Sequence, residues 1–336
     1  MPRQIRIICE DTLYEIVPRA REGLPLPPTE TSNQLLAGIL ARTQRDDKVT
    51  LCNFVEMNSH SHQHVIPTDA YKITKFYMEY QKKITDSVRK LTKLKSLQLW
   101  EDRPSVIKVA QIEDVIRRII YLFLNPAKAG LVASIDQYPG LSSWQAFKTC
   151  EPSVDAKYIT KAHWTPASAL ETLPDGNKLS PFQDQVMAKR LREKKCTIEY
   201  DLVIQPFAWL KIYGITNPRE VEAIRQRIIT AVYAEESALA KQREDDGLSA
   251  IGAEKLERQQ YLRPHTPKKK ERRIFVICAD NELRPKIIAD HKETARKHKK
   301  CSENLRNGIP QEWPPGTFIP WRPPATFTPA GGGHVP

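Results

Sequence analysis

Through the first 150 residues, apolar positions recur with a period of two in some stretches and about 3.6 in others, which predicts alternating strands and helices. Thr12–Ala20 reads as a strand ending in basic Arg19 and Arg21, and Gly23–Thr31 as a Pro-rich loop. A helix capped by Thr31 or Ser32 follows to about Arg42, with Leu35, Leu36, Ile39 and Leu40 as its apolar stripe. Val49–Met57 and His60–Ile66 read as two strands joined tightly at Asn58-Ser59. Tyr71–Lys93 carries Ile73, Tyr77, Tyr80, Ile84, Val88 and Leu91 at helical spacing, with Lys75, Lys82 and Arg89 on another face. Arg103–Val109 predicts a further strand, and Ile112–Leu124 an apolar helix that Pro126 helps to end.

The pattern changes after this. Glu151–Leu179 reads as a linker running into Pro-Asp-Gly-Asn, and 180–303 as a mainly helical accessory region. Ser180-Pro181 and Asn217-Pro218 each offer an N-cap followed by Pro at the first helical position, opening helices to about Lys195 and Arg243. Ile274–Ala279 looks like a short buried strand, and 304–336 like an extended Pro/Gly-rich tail.

A chain of 336 residues is long enough for one large or two moderate cores. Its net charge of +12 favours a polyanionic partner, since Lys/Arg-rich surfaces release counterions on binding phosphate backbones. No apolar run approaches the roughly 20 residues of a membrane span, and the N-terminus lacks a signal-peptide pattern, so a cytoplasmic protein with no membrane partner is expected. Six scattered cysteines without a CxxC pair argue against a structural zinc ribbon.

Candidate chemistry is concentrated in two places. Residues two apart in a strand point the same way, so His60, His62 and His64 line one face. Neutral imidazoles so spaced can ligate a divalent ion, or form a polar strand edge. On the helix Ile112–Leu124, Asp114, Arg118, Tyr121 and Asn125 share a face, opposite Ile112, Val115, Ile116, Ile119, Ile120 and Phe123. Tyr121 then looks outward with an amide oxygen one turn away, or is one more core aromatic.

Four motifs in order carry a family resemblance. Met57-Asn58-Ser59-His60-Ser61-His62 is followed by a long helix and then Leu99-Trp100-Glu101-Asp102-Arg103. Tyr121-Leu122-Phe123-Leu124-Asn125-Pro126-Ala127-Lys128-Ala129-Gly130-Leu131-Val132 comes next, and Ser142-Ser143-Trp144 closes the series. The region resembles the REP-associated tyrosine transposases, within the HUH single-strand nucleases. The resemblance implies an α+β fold with a ferredoxin-like antiparallel sheet and helices on one face, over residues 1–150. It implies cleavage and strand transfer of single-stranded DNA near a hairpin, by a monomer or homodimer. Tyr121 would be the nucleophile, forming a 5′-phosphotyrosine, with His60, His62 and Asn125 holding Mg²⁺ or Mn²⁺ and His64 as alternative ligand. Arg19, Arg21, Lys75, Lys82, Arg89, Arg103, Arg118 and Lys128 would meet the DNA.

The chain departs from the family pattern at Ser59, Ser61 and His64, where Asn, an apolar residue and an apolar residue are usual. Two other functions compete: a hairpin-binding protein with weakened catalysis, and an unrelated metal-dependent hydrolase. The basic clusters Lys268–Arg273 and Arg296–Lys300 suggest that the C-terminal half adds phosphate contacts but no chemistry.

Overall fold

A computed structural model describes residues 5–21, 26–101, 103–150, 153–159, 179–193, 197–264, 274–307, 309 and 311–319. The first six elements are β1 (Tyr14–Val17), α1 (Glu30–Asp47), β2 (Thr50–Glu56), β3 (Ser61–Ile66), α2 (Ala70–Leu91) and β4 (Ser105–Val109). The N-cap of α1 is Thr29, whose side chain accepts from Ser32 N, so the helix starts earlier than Thr31 or Ser32 would allow.

The main sheet runs β2-β3-β1-β4-β7, where β7 is Val276–Ile277. Neighbours among β1 to β4 are antiparallel, but β4 and β7 are parallel, so the sheet is mixed and not wholly antiparallel. The added strand comes from the C-terminal half, where Phe275 O accepts from Lys108 N and Ile277 O from Ala110 N.

Strand alternation gives the sheet two apolar faces. Tyr14, Ile16, Leu51, Phe54 and Val65 join Leu40 of α1 and Phe76 and Tyr80 of α2 in one core. Leu13, Cys52, Val55 and Val109 join Val115, Ile119 and Phe123 of α3 (Ile112–Lys128) in a second. Helices therefore cover both faces, in place of the single face expected. The apolar stripe of α3 requires a partner, and the second sheet face supplies it.

Helix α3 also runs through Pro126 to Lys128 and is not ended there. Pro126 has no N–H, which orphans the carbonyl of Leu122 four residues back. The side-chain amide of Asn125 donates to that carbonyl at 3.2 Å and to Tyr121 O at 3.0 Å. The helix survives because its neighbour replaces the lost donor.

Beyond 150, the expected linker holds a strand, β5 (Ser153–Ile159), paired antiparallel with β6 (Thr197–Val203). Residues 160–178 of that linker lie outside the described residues. Among the described residues the accessory region contains α5 (Pro181–Glu193), α6 (Pro218–Asp245), α7 (Ala253–Glu257) and α8 (Leu283–Arg306), with α4 (Trp144–Thr149) before it. It is not peripheral. Trp209, Leu210, Ile228, Val232 and Leu256 are buried in the same core as α3. Part of the expected tail is docked as well: Ile8 N donates to Gly316 O at 3.0 Å. Gly316 sits at φ +72, and a Cβ there would meet Ile8 O at 2.5 Å, so the close approach needs glycine. Among the described residues no helix is long and apolar enough to cross a membrane.

On the α1–α2 side, Glu56 is buried with Tyr80 Oη donating to it at 2.6 Å and Gln63 Nε2 at 3.0 Å. Burial pushes its carboxyl up to about 7, outweighing those hydrogen bonds. A raised carboxyl pKa means that the folded state binds the proton more tightly, so stability falls as pH rises from the ordinary value of 4.5 to about 7. We expect Glu56→Gln to flatten the urea-unfolding free energy across that window. A variant whose pH slope matches the parent would place the titration elsewhere.

Candidate functional site

The site is built where the second face of the sheet meets α3. In the β1–β3 ladder Glu15 stands directly opposite His64, and His62 lies two residues along the same face. His60 precedes β3 and forms an isolated bridge with Arg19, continuing the line. The His60 and His62 rings meet edge to face with centroids 5.1 Å apart. The ring of Tyr121, from α3, stands 5.8 Å from His62, again edge to face. Asn125 is one turn further on, with its amide nitrogen committed to the helix carbonyls.

Glu15, which the sequence reading passed over, is the hub. His62 Nδ1 lies 2.7 Å from Glu15 Oε1. Arg118 Nε donates to Oε2 at 2.9 Å and Nη2 to Oε1 at 2.6 Å. Burial alone would raise the Glu15 carboxyl, but the His62 hydrogen bond and the charge of Arg118 hold it well below the usual range. The only signal in the sequence was one acidic residue inside the apolar run Leu13-Tyr14-Glu15-Ile16-Val17.

Arg118 also lies over the Tyr121 ring, its guanidinium carbon 4.3 Å from the centroid, and Lys128 Nζ is 5.0 Å from it. His60 is pushed down to about 3, by burial first and also by the charge of Arg19, and Ser59 Oγ sits 3.2 Å from its Nδ1. It is therefore a neutral imidazole near neutral pH.

His64 behaves differently. It is fully buried, and neither ring nitrogen has a hydrogen-bond partner among the described residues. Burial pushes it down to about 4, so it too is neutral. It is packed inside the core, opposite Asn53 in the β2–β3 register.

The expected phosphate-binding cations divide. Arg118 and Lys128 line an open cleft of ≈ 680 Å³ beside Tyr121, joined there by Arg117 and, from the C-terminal half, Arg284. Arg117 continues the α3 charge run, whereas nothing in the sequence marked Arg284. Lys75, Lys82 and Arg89 lie on α2, across the sheet from Tyr121, and pair with Asp47 at 3.2 Å, Glu79 at 4.0 Å and Asp86 at 3.2 Å. The basic face of α2 therefore does not reach this site, because α2 and α3 pack on opposite sheet faces. Arg21 bonds Gln98, and Arg103 lines a separate cleft of ≈ 780 Å³ with Lys108 and Lys300. Of the two C-terminal clusters, Lys268–Arg273 lies outside the described residues. In the other, Arg296 and Lys297 pair with Glu293 at 2.7 and 3.6 Å and Lys299 with Glu303 at 3.9 Å.

Comparison with known proteins adds little. No family model matches the chain, and no curated protein matches it. Among solved structures, a REP-associated tyrosine transposase bound to a REP hairpin shares 18% identity with a TM-score of 0.37, over 44% of this chain and 86% of that one. This is a distant structural likeness, and the site geometry carries the functional reading.

The two inner histidines make a contrast that unfolding measurements can test. Removing His62 leaves the buried Glu15 carboxylate short of a donor, whereas removing His64 deletes two buried nitrogens with no hydrogen-bond partner among the described residues. We expect His62→Leu to lower stability in urea by about 1–3 kcal/mol and His64→Leu to leave it unchanged or raise it. Equal losses would mean that His64 has a partner of its own.

Proposed function

We propose that the chain is a metal-dependent endonuclease and strand transferase for single-stranded DNA near hairpins, acting through a 5′-phosphotyrosine. The observation that carries this reading is the meeting of His60, His62 and Tyr121 on one sheet face, beside a cleft lined by Arg118 and Lys128. The sequence motifs at Met57–His62, Tyr121–Val132 and Ser142–Trp144 support the hairpin as partner. The chain order β-α-β-β-α-β with strand order β2-β3-β1-β4 supports a ferredoxin-like unit at its centre.

The donor atoms fit a divalent cation. His60 is neutral, and His62 has Nδ1 occupied by Glu15, which leaves Nε2 free. Asn125 has its nitrogen occupied, which leaves its oxygen as the third donor. Among the described residues no group of three or more His, Cys, Asp or Glu forms a ready cage, so the remaining donors would be Asn125 and water. Such a mixed nitrogen and oxygen set suits Mg²⁺ or Mn²⁺. Bound there, the cation would act as a Lewis acid toward the charge building on the phosphoryl oxygens.

In the reaction, Tyr121 Oη forms a bond to the scissile phosphorus while the bond from phosphorus to the upstream O3′ breaks. The phenolic proton passes to solvent, and the departing O3′ leaves as a hydroxyl. Arg118 and Lys128 steady the phosphate. Attack by an incoming 3′-hydroxyl on the phosphotyrosine reverses the chemistry and joins the strands.

Two of the three departures from the family pattern have local partners in the structure. Ser61 points to the other face of the sheet, where Gln63 Nε2 donates to its hydroxyl at 3.3 Å within the Glu56 cluster. Ser59 contacts His60.

A hairpin oligonucleotide with Mg²⁺ or Mn²⁺ should give a covalent protein–DNA band on denaturing gels. Tyr121→Phe should abolish the band while hairpin affinity stays within about twofold, because one oxygen is lost and almost no surface. His60→Ala and His62→Ala should abolish it as well, as should EDTA. Persistence of the band in Tyr121→Phe would remove Tyr121 as nucleophile, and full activity in EDTA would remove the cation.

A further inference from the structure

The carboxylate of Glu15 is fully buried in a central strand, between apolar Tyr14 and Ile16. An apolar residue there would serve folding as well, because a buried charge must be fully compensated before it costs nothing. Here the compensation is complete and directional. Oε1 receives both His62 Nδ1 at 2.7 Å and Arg118 Nη2 at 2.6 Å, and Oε2 receives Arg118 Nε at 2.9 Å.

We propose that Glu15 is a positioning residue that locks His62 in the Nδ1–H tautomer and ties the histidine strand to the nucleophile helix. The proposal rests on the reading of His62 as a cation ligand and Tyr121 as the nucleophile. An ionised carboxylate only accepts, so the nitrogen facing it must carry the hydrogen, and in the neutral imidazole Nε2 then keeps its lone pair. A carboxylate behind a ligating imidazole fixes both ring orientation and tautomer. Arg118 carries the constraint onward: its two-pronged contact fixes a guanidinium 4.3 Å from the Tyr121 ring. One side chain on β1 thus sets the relation between β3 and α3 at the point where their functional groups meet.

His64 provides the internal contrast. It is the residue directly opposite Glu15 in the ladder, yet neither of its nitrogens bonds the carboxylate. Glu15 therefore selects His62 as the oriented imidazole of the pair.

Long-range proton–nitrogen NMR on the full chain with ¹⁵N-labelled histidine reads the tautomer directly, without metal or substrate. The wild type should show His62 protonated at Nδ1. Glu15→Gln offers an amide in place of the carboxylate and should shift His62 toward Nε2–H. Mn²⁺ affinity, read from the free-ion EPR signal, should weaken by about 10–100-fold. Glu15→Asp keeps the charge and should retain more of the Nδ1–H form than Glu15→Gln. The proposal is overturned if wild-type His62 carries its hydrogen on Nε2, a result that stands even if Glu15→Gln fails to fold. It is also overturned if a folded Glu15→Gln keeps the wild-type tautomer. Failure of the parent reading looks different: Mn²⁺ that leaves the His60 and His62 signals unbroadened removes the cation but not the tautomer lock.

Discussion

Helix α3 is held to the sheet by a stripe of branched and aromatic side chains, Val115, Ile116, Ile119 and Phe123, pressed against Leu13, Cys52, Val55 and Val109. Nearly everything at the site follows from that contact. Each large apolar side chain so buried contributes about 1.5–3 kcal/mol, and together they fix which way the helix is turned. With the stripe inward, Arg118 and Tyr121 fall at its margin, next to the histidine strand. A helix rotated by one residue would carry the phenol about 100° away.

The periodicity identified most elements because each has one face that must be buried. The histidine strand, α2 and the apolar helix all lie within a few residues of where alternation and helical spacing place them. The placement of α3 on the second sheet face was not legible. Periodicity says that a helix has a buried side but not which surface buries it. The misjudged end of α3 has a local cause: Pro126 signals a stop, and the effect of Asn125 on the freed carbonyl depends on a side-chain rotamer. Glu15 was missed for a related reason. A lone acidic residue in a strand reads as solvent-facing until its partners, 47 and 103 positions away, are known.

The C-terminal half illustrates the same limit on a larger scale. Its composition, polar and charged with long helices, suggests an appendage. In three dimensions Trp209 and Leu210 sit in the α3 core, Glu236 accepts from Ser134 Oγ at 2.7 Å and from Ile135 N at 2.6 Å, and Arg284 reaches the cleft beside Tyr121. The second half therefore buttresses the helix that bears the phenol, and changes in it will be felt at the site through packing.

The margins of the main sheet are β2, which is paired in part with segments distant in the chain, and the very short strand β7. Along β2, Glu56 N donates to Leu141 O and Ser143 N to Phe54 O, Ser143 Oγ also bonds Phe54, and Gln205 N donates to Leu51 O. At the opposite margin the sheet ends in the two-residue strand β7, paired to β4. An open margin is a template on which another chain can add a strand. Here the paired stretches of β2 are already taken, and β7 offers only two residues. Sheet extension by a second copy is thereby disfavoured, since one margin is taken in part and the other is only two residues long.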